Sequence, residues 1–521
     1  MRTRKVWVWT VVGIAAFLAV TAALVVAAVP LTSDALRHRM IDTLSSRLDA
    51  DVAIGDLHWR VFPTLHASGS DLTIHRKRHA DAKPLIAIKR FTVDAGVAGL
   101  LRRHVAHVAL DGLDIEIPPG GDEQDPSHEL SNRAAADAGE FEKTVVIDTL
   151  DAADGQVATV PKQPNKAPKV WAIHALRLHN VGVQQAMPFE ATLTNAIPPG
   201  EIDTRGTFGP WQPDDPGKTA LEGDFTFARA DLSIFHGISG ILSAHGSFGG
   251  TLERIEVRGE TETPDFSVRL GGHQFPLHAA YRTIVDGTNG DTRLERIDAT
   301  FLESVLTARG SVVDAPAAVH GRIVSLDVAM DRARIEDVMQ MAVKGAPPMR
   351  GGLRLTTKFV LPPGETDVAD RLRLDGQFAI ARARFTNFDV QSRIDELSRR
   401  SRGKPDSAQD RVVSDFDGRF KLGDGRLSAP ALSFSVPGAR VELAGQYALR
   451  PETLDFRGRL LMDAKVSQTQ TGVKSLLLKV VDPLFKRRGG GSVIPIHVRG
   501  PRSDPDFGID VRRVFKRGDK S

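Results

Sequence analysis

The spacing of apolar residues changes character several times along this chain. Residues 6–29, VWVWTVVGIAAFLAVTAALVVAAV, form a continuous apolar run without a charge. At about 1.5 Å of rise per residue, a helix of this length crosses a hydrocarbon core of roughly 30 Å. Arg2, Arg4 and Lys5 precede it, and Trp7 and Trp9 stand where an interfacial aromatic belt lies. Residues 1–5 are expected in the cytoplasm, 6–29 as a single transmembrane anchor, and the rest of the chain exported. The other reading is a cleaved signal peptide ending near Val26-Ala27-Ala28, although the run exceeds the roughly 7–15 residues of a usual signal core. After Pro30, Leu36, Met40, Ile41, Leu44 and Leu48 mark one stripe of a helix capped by Thr32 or Ser33. That helix lies at the membrane surface, plugs the end of the exported domain, or packs on its own domain.

From Asp51 the period becomes two. Val52 and Ile54, then Leu57 and Trp59, then Leu72 and Ile74 alternate with polar neighbours, and short alternating runs continue to about Asp463. The longest places Leu353, Leu355, Thr357, Phe359 and Leu361 on one face and Arg354, Thr356 and Lys358 on the other. Such runs have one dry and one wet face, as antiparallel sheets do. On the order of 25 strands are expected by this reading. Helices are expected only at Gly96–Arg103, Leu232–Leu242, Ala333–Val343, Phe388–Arg400 and, amphipathic, residues 471–488. These are too few to cover the apolar face. The fold class expected is therefore mainly β: a long, mostly antiparallel sheet that packs on a second sheet or curves over itself into an elongated groove. At about 4.8 Å per strand such a structure would be roughly 120 Å long. Residues 119–143 are acidic, with almost no large apolar residue, and read as a flexible loop; Gly403–Arg411 is a second polar stretch.

Composition removes several function classes. A net charge of +3 without an aromatic-rich basic patch argues against nucleic-acid binding. There is no cysteine, which excludes disulfides, cysteine-ligated metals and thiol catalysis. No phosphate loop and no HExxH motif occurs. His75 and His79 are four apart, but in a basic run between strands, where a solvated loop is the better reading. Asp286-Gly-Thr-Asn289-Gly-Asp291 lacks the spacing and terminal Glu of a calcium loop and reads as a hairpin turn. Asp151 and Asp154 form a carboxylate pair of a kind common in turns. Neither enzymatic activity nor a cofactor or metal is expected.

Three stretches resemble the AsmA-like family of bacterial inner-membrane-anchored envelope proteins, related to bridge-like lipid transfer proteins. The first is the anchor and helix followed by Val52-Ala53-Ile54-Gly55-Asp56-Leu57, Phe62-Pro63 and Gly69-Ser70-Asp71-Leu72-Thr73-Ile74. The second is Leu85–Ile117, with Leu100-Leu101-Arg102-Arg103 and Leu110-Asp111-Gly112-Leu113-Asp114-Ile115. The third runs from Phe434-Ser435-Val436-Pro437-Gly438-Ala439 through Leu443-Ala444-Gly445-Gln446-Tyr447 and Val493–Gly500 to Pro505-Asp506-Phe507. The resemblance implies a periplasmic β domain anchored in the inner membrane, phospholipid chains held in a hydrophobic trough, and a role in outer-membrane homeostasis. Regions expected on this basis are an AsmA-like N-terminal region at 31–118 and an AsmA-like C-terminal region at 412–510; the alternating pattern adds a central β region at 144–411, and charge a basic tail at 511–521. The groove candidates are Leu353, Leu355, Phe359, Leu361, Leu454, Phe456, Leu460, Ile494 and Ile496. The membrane-interface candidates are Trp7, Trp9, Leu36, Met40, Leu44, Leu48, Leu476, Leu477, Val480 and Phe485. Partners expected are membrane phospholipids and a protein of envelope assembly. The alternative is a non-enzymatic structural or regulatory factor for outer-membrane protein assembly or for targeting proteins to the membrane, without lipid cargo.

Overall fold

A computed structural model describes residues 33–48, 50–60, 64–76, 84–96, 104–117, 146–159, 169–182, 185–210, 216–287, 289–316, 321–403, 412–464 and 492–509, with Gly99 and Gln212. These residues are mainly β: 25 strands assigned to one mixed sheet, with a few short helices. The expected anchor at 6–29, the acidic loop at 119–143, the amphipathic helix at 471–488 and the tail at 511–521 lie outside them. Among the described residues no helix is long and apolar enough to cross a membrane. The chain divides into two compact units, one of Met1–Ile234, Ile241–Thr261 and Arg282–Thr292, the other of Phe235–Gly240, Glu262–Tyr281 and Arg293–Ser521.

The first unit begins with α1 (Ser33–Leu48) and the strands β1 (Ala50–Ala53), β2 (Leu57–Arg60), β3 (Leu65–Arg76), β4 (Ile86–Ala95) and β5 (His104–Ile117). It continues with β6 (Val146–Thr159), β7 (Lys169–Val181), β8 (Met187–Ala196), β9 (Pro199–Phe208) and β10 (Ala220–Asp231). β1 and β2 both pair with β3, and the neighbours from β3 to β10 are antiparallel except β5 and β6, which are parallel. A parallel pair needs a connection that returns the length of a strand, which accounts for the long segment between Ile117 and Val146.

Period-two alternation builds this unit's core. Val52, Ile54, Leu72, Ile74, Ile88, Phe91, Val93, Leu113 and Ile147 are buried together, and α1 adds Met40 and Leu44. Met40 and Leu44, both 1% exposed, are thus corrected from membrane-interface candidates to core residues. The physical reason is that the strands beside α1 present an apolar face that the helix covers. Arg37 Nη1 donates to the Gly55 carbonyl at 2.8 Å, and the Val52 N–H donates to Ser45 Oγ at 3.3 Å, which fixes the helix there. The side chains of Leu36 and Leu48 are outside the described set.

The opposite, wet face of this unit is a ladder of opposite charges. His66 meets Asp94 at 2.6 Å, His107 meets Asp151 at 3.0 Å, and Arg177 Nε donates to Asp151 at 2.7 Å. The register then sets Arg177 opposite Glu190, Glu190 opposite Arg205 and Arg205 opposite Asp224. Arg177 and, less strongly, His107 hold the Asp151 carboxyl below the usual carboxylate range, against a raising contribution from burial.

Further strands are β11 (Ile238–Ser239), β12 (Ile241–Thr251), β13 (Arg254–Val268), β14 (Gln274–Val285) and β15 (Thr292–Phe301). The helix expected over Leu232–Leu242 is absent: Leu232–Ile234 is one 3₁₀ turn followed by β11 and the start of β12. Gly237 at φ +106° and Gly240 at φ +135° hold backbone conformations that a right-handed helix cannot contain. Asp286–Asp291 is the expected turn, closed by Asp286 N to Asp291 O at 2.8 Å and Asn289 Nδ2 to Asp286 Oδ2 at 2.8 Å.

The second unit carries β16 (Ser304–Asp314), β17 (Arg322–Arg334), α2 (Ile335–Gln340), β18 (Met349–Leu361), α3 (Val368–Arg371), β19 (Arg373–Phe385) and α4 (Phe388–Ser401). Then come β20 (Ser414–Gly423), β21 (Arg426–Val436), β22 (Ala439–Ala448), β23 (Thr453–Met462), β24 (Ser492–Pro501) and β25 (Asp506–Ile509). From β16 to β25 every strand pairs antiparallel with its successor. α2 and α4 match the helices expected near Ala333–Val343 and Phe388–Arg400.

Buried polar bonds seat both helices on the sheet. Asp337 of α2, 5% exposed, accepts from Ser304 Oγ at 2.7 Å and from the Glu303 N–H at 3.2 Å. Asp395 of α4 accepts from the Val412 N–H at 3.0 Å and Gln391 Nε2 at 2.8 Å, and Ser398 Oγ donates to the Pro437 carbonyl at 2.8 Å.

Two stability predictions follow from these contacts. Asp337→Ala strands the buried Ser304 hydroxyl, so it should destabilise by about 1–3 kcal/mol, read as a lower urea midpoint. Because Asp151 has a depressed folded-state pKa, its contribution is complete above the unfolded value of about 3.9 and is lost as pH falls through the folded value. The stability difference between wild type and Asp151→Asn should therefore shrink as urea titrations are repeated below about pH 4.

Candidate functional site

The site is built by cross-strand register in the second unit. One row runs Leu353–Ile380–Phe416–Phe434–Val441–Leu460–Ile494 from β18 to β24. A second runs Leu355–Phe378–Gly418–Leu432–Leu443–Gly458–Ile496, and a third Phe359–Leu374–Leu422–Leu427–Tyr447–Leu454. Between them lie Gly376 opposite Thr357, and Phe456 between Gly445 and Val498; Leu361 sits opposite Val324. All nine groove candidates therefore occupy one face.

That face is not uniformly covered. Ile335 of α2 joins Leu353, Ile380, Met330, Phe275 and Phe301 in a buried cluster, with Leu355 and Phe378 packed against it. Ile394 and Leu397 of α4 pack on Val412, Phe434, Val436, Ala439 and Val441, with Leu460 and Ile496 alongside. Phe416 and Phe434, with ring centroids 4.7 Å apart, join the two sets of rows. Phe359, Leu361, Leu454, Phe456 and Ile494 belong to neither cluster and are only half-buried. So Leu353 is ordinary core, Leu355, Leu460 and Ile496 border the cores, and the other five form open apolar rows. Burial pushes the Tyr447 phenol up, with Glu452 adding to the shift, as expected beside these rows.

The pattern on β19 and β20 is one that sequence reading missed. Leu374, Phe378, Phe420 and Leu422 share the face, but Gly376 and Gly418 interrupt the apolar alternation in the sequence. These glycines have a structural reason. A Cβ on Gly376 would meet Thr357 Cβ at 2.7 Å, and one on Gly418 the Ala431 carbonyl oxygen at 2.8 Å; Gly445 and Gly458 are crowded in the same way, by Phe456 Cα at 2.6 Å and by the Glu442 carbonyl oxygen. The strands approach too closely there for any side chain.

The other face is charged, and it holds two depressions. One of about 1280 Å³ is lined by residues of β17 to β24, among them Arg354, Gln377, Asp417, Arg419, Ser433, Glu442 and Arg457. A second, of about 900 Å³, shares Thr356, Gln377 and Arg419 with it and extends to Glu295 and Arg309. Of the nine groove candidates only Leu355 borders either. Trp7, Trp9, Leu476, Leu477, Val480 and Phe485 lie outside the described residues. Among the described residues no group of three or more His, Asp or Glu side chains is arranged to hold a metal. His75 lies on β3, whereas His79 is not described.

Comparison with family models, with characterised proteins and with solved structures finds no match for this chain.

If close strand approach at Gly458 is what forms the open rows, Gly458→Val should lower the urea midpoint by more than Gly423→Val, since a Cβ on Gly423 meets nothing. Paired urea titrations check this; equal losses would disprove it.

Proposed function

We propose that this is a membrane-anchored, extracytoplasmic protein whose second unit binds phospholipid acyl chains on the open apolar rows of its sheet. The observation that carries the reading is the continuous third row, Phe359–Leu374–Leu422–Leu427–Tyr447–Leu454, half-buried and outside the clusters under α2 and α4. A row of this kind supplies hydrocarbon-facing surface and no chemistry. Holding a chain there is passive: each CH₂ kept from water is worth about 0.8 kcal/mol. Head groups would remain in water beyond the rows. The uncharged run at 6–29 supplies the anchor, and the AsmA-like resemblance supports a role in outer-membrane homeostasis in which no bond is made or broken.

A scaffold that acts by protein contacts is the second reading, and the fully buried row ends beside α2 and α4 favour it. Native mass spectrometry of the full chain, released gently from detergent, separates the two. Phospholipid bound in discrete stoichiometry supports the first reading, and a lipid-free folded chain selects the scaffold. Phe359→Asp and Phe456→Asp should each lower bound lipid several-fold with the fold retained. Leu353→Asp, at a position 3% exposed, should unfold the unit instead because it buries an unpaired charge.

A further inference from the structure

The charged face carries an irregularity that the acyl-chain reading does not use. Along one row of that face the signs alternate: Asp327 is opposite Lys358, Lys358 opposite Asp375 and Asp375 opposite Lys421, with the last pair at 2.9 Å. In the next row the alternation fails. Arg419 is opposite Ala431 and Gln377, and Arg457 is opposite Ala444. One row further, Arg354 is opposite Ala379. Arg354, Arg419 and Arg457 have no carboxylate partner among the described residues, and all three line the depression of about 1280 Å³. Arg440 donates there only to Ser433 Oγ at 3.2 Å, and Arg459 is held by Glu442 at 2.7 Å.

The unpaired cations are separated by whole strands. Arg354 and Arg419 are two strands apart, about 10 Å, and Arg419 and Arg457 three strands apart, about 14 Å. Between them the floor is small and apolar, with Ala379, Ala431, Ala444 and Pro430. Asp331, Asp417, Gln377 and Thr356 border it as hydroxyl acceptors and donors. Five arginines and three carboxylates leave the depression positive without making it a simple anion trap. Guanidinium forks match phosphate and carboxylate oxygens, and carboxylates and amides match sugar hydroxyls.

We propose that this depression binds a saccharide carrying two or more phosphate groups, with Arg354, Arg419 and Arg457 holding the phosphates and Asp417 and Gln377 the hydroxyls. Its arginines and hydroxyl-binding groups are on the opposite face of the sheet from the open apolar row through Phe359 and Leu454, which does not border the depression, although Leu355, Phe378, Leu432 and Leu443 of the second row do. The shared chemistry has two sources, a free sugar phosphate or the phosphorylated sugar head group of a lipid.

The test is calorimetric titration of the full chain in detergent with glucose 1,6-bisphosphate, with orthophosphate and glucose as controls. Co-sedimentation with phosphatidylcholine vesicles, with and without phosphatidylinositol 4-phosphate, forms the second arm. The bisphosphate should bind at least tenfold tighter than either control. The double variant Arg419→Gln, Arg457→Gln should weaken it at least tenfold with an unchanged urea midpoint, since neither arginine leaves a partner behind. Lys421→Gln, on the same face but paired with Asp375, should stay within twofold. Binding of the free sugar assigns a soluble ligand or bare head group; binding only to the doped vesicles assigns a lipid-borne one. Saturable binding of neither probe, equal binding of orthophosphate, or an equal loss in Lys421→Gln would overturn the proposal. Phe359→Asp, which should empty the apolar rows, should leave this binding unchanged, so the two proposals fail separately.

Discussion

The second unit depends on register. In a strand successive side chains point to opposite faces, so a slip of one residue exchanges the dry set for the wet set. From β18 to β24 the pairing lines up apolar residues and glycines across strands, as in Leu353–Ile380–Phe416–Phe434 and Leu374–Leu422–Leu427, and sets Lys358 opposite Asp375 and Arg459 opposite Glu442 on the other face. Shifts occur at Met330/Ala333, Arg350/Gly352 and Ile380/Ala383, one on each of three adjacent pairings. Alternation resumes beyond each of them. Such bulges bend a strand locally. Here they stand beside the residues that Ile335 of α2 joins in the buried cluster.

A sheet divided in this way has a stability problem that the helices solve only in part. In the first unit α1 and the strands around it bury their apolar residues together, while Ile173, Leu193, Ile202 and Phe225 on later strands stay half-buried. In the second, α2 and α4 cover only the rows near Leu353 and Val441. The rows through Phe359 and Leu454 stay half-exposed. Apolar surface left in contact with water is a cost that a hydrocarbon ligand removes. The functional reading is therefore the same physical statement as the incomplete core. The charged face meets the opposite demand. It stays wet through paired opposite charges, and where pairing lapses near Arg419 and Arg457 it gains uncompensated cations.

The sequence alone determined the mainly β character and which residues of a strand share its apolar face. Period two, once established from Asp51 onward, places Leu353, Leu355, Phe359 and Leu361 on one side regardless of which strands they meet. It also located α2 and α4, because each carries apolar residues at helical spacing without an internal glycine. It failed at Leu232–Leu242, where helical spacing is present but Gly237 and Gly240 take positive φ values. It also failed to include Phe378 and Phe420, because the glycines beside them hide the alternation.

Tertiary structure alone decided which apolar residues are core and which are open. Leu353 and Phe359 are six residues apart on the same strand and the same face, and nothing local distinguishes them. What separates them is α2, docked through Asp337 over one end of the strand. The same holds for Met40 and Leu44, whose stripe fits a membrane surface as well as a core until the strands beside it are placed. The arginines of the charged depression are up to about a hundred residues apart in the chain. Hydrogen-bonded pairing between strands brings them together, and that pairing is a property of the whole sheet, while the alternation that orients each side chain is a property of its own short segment.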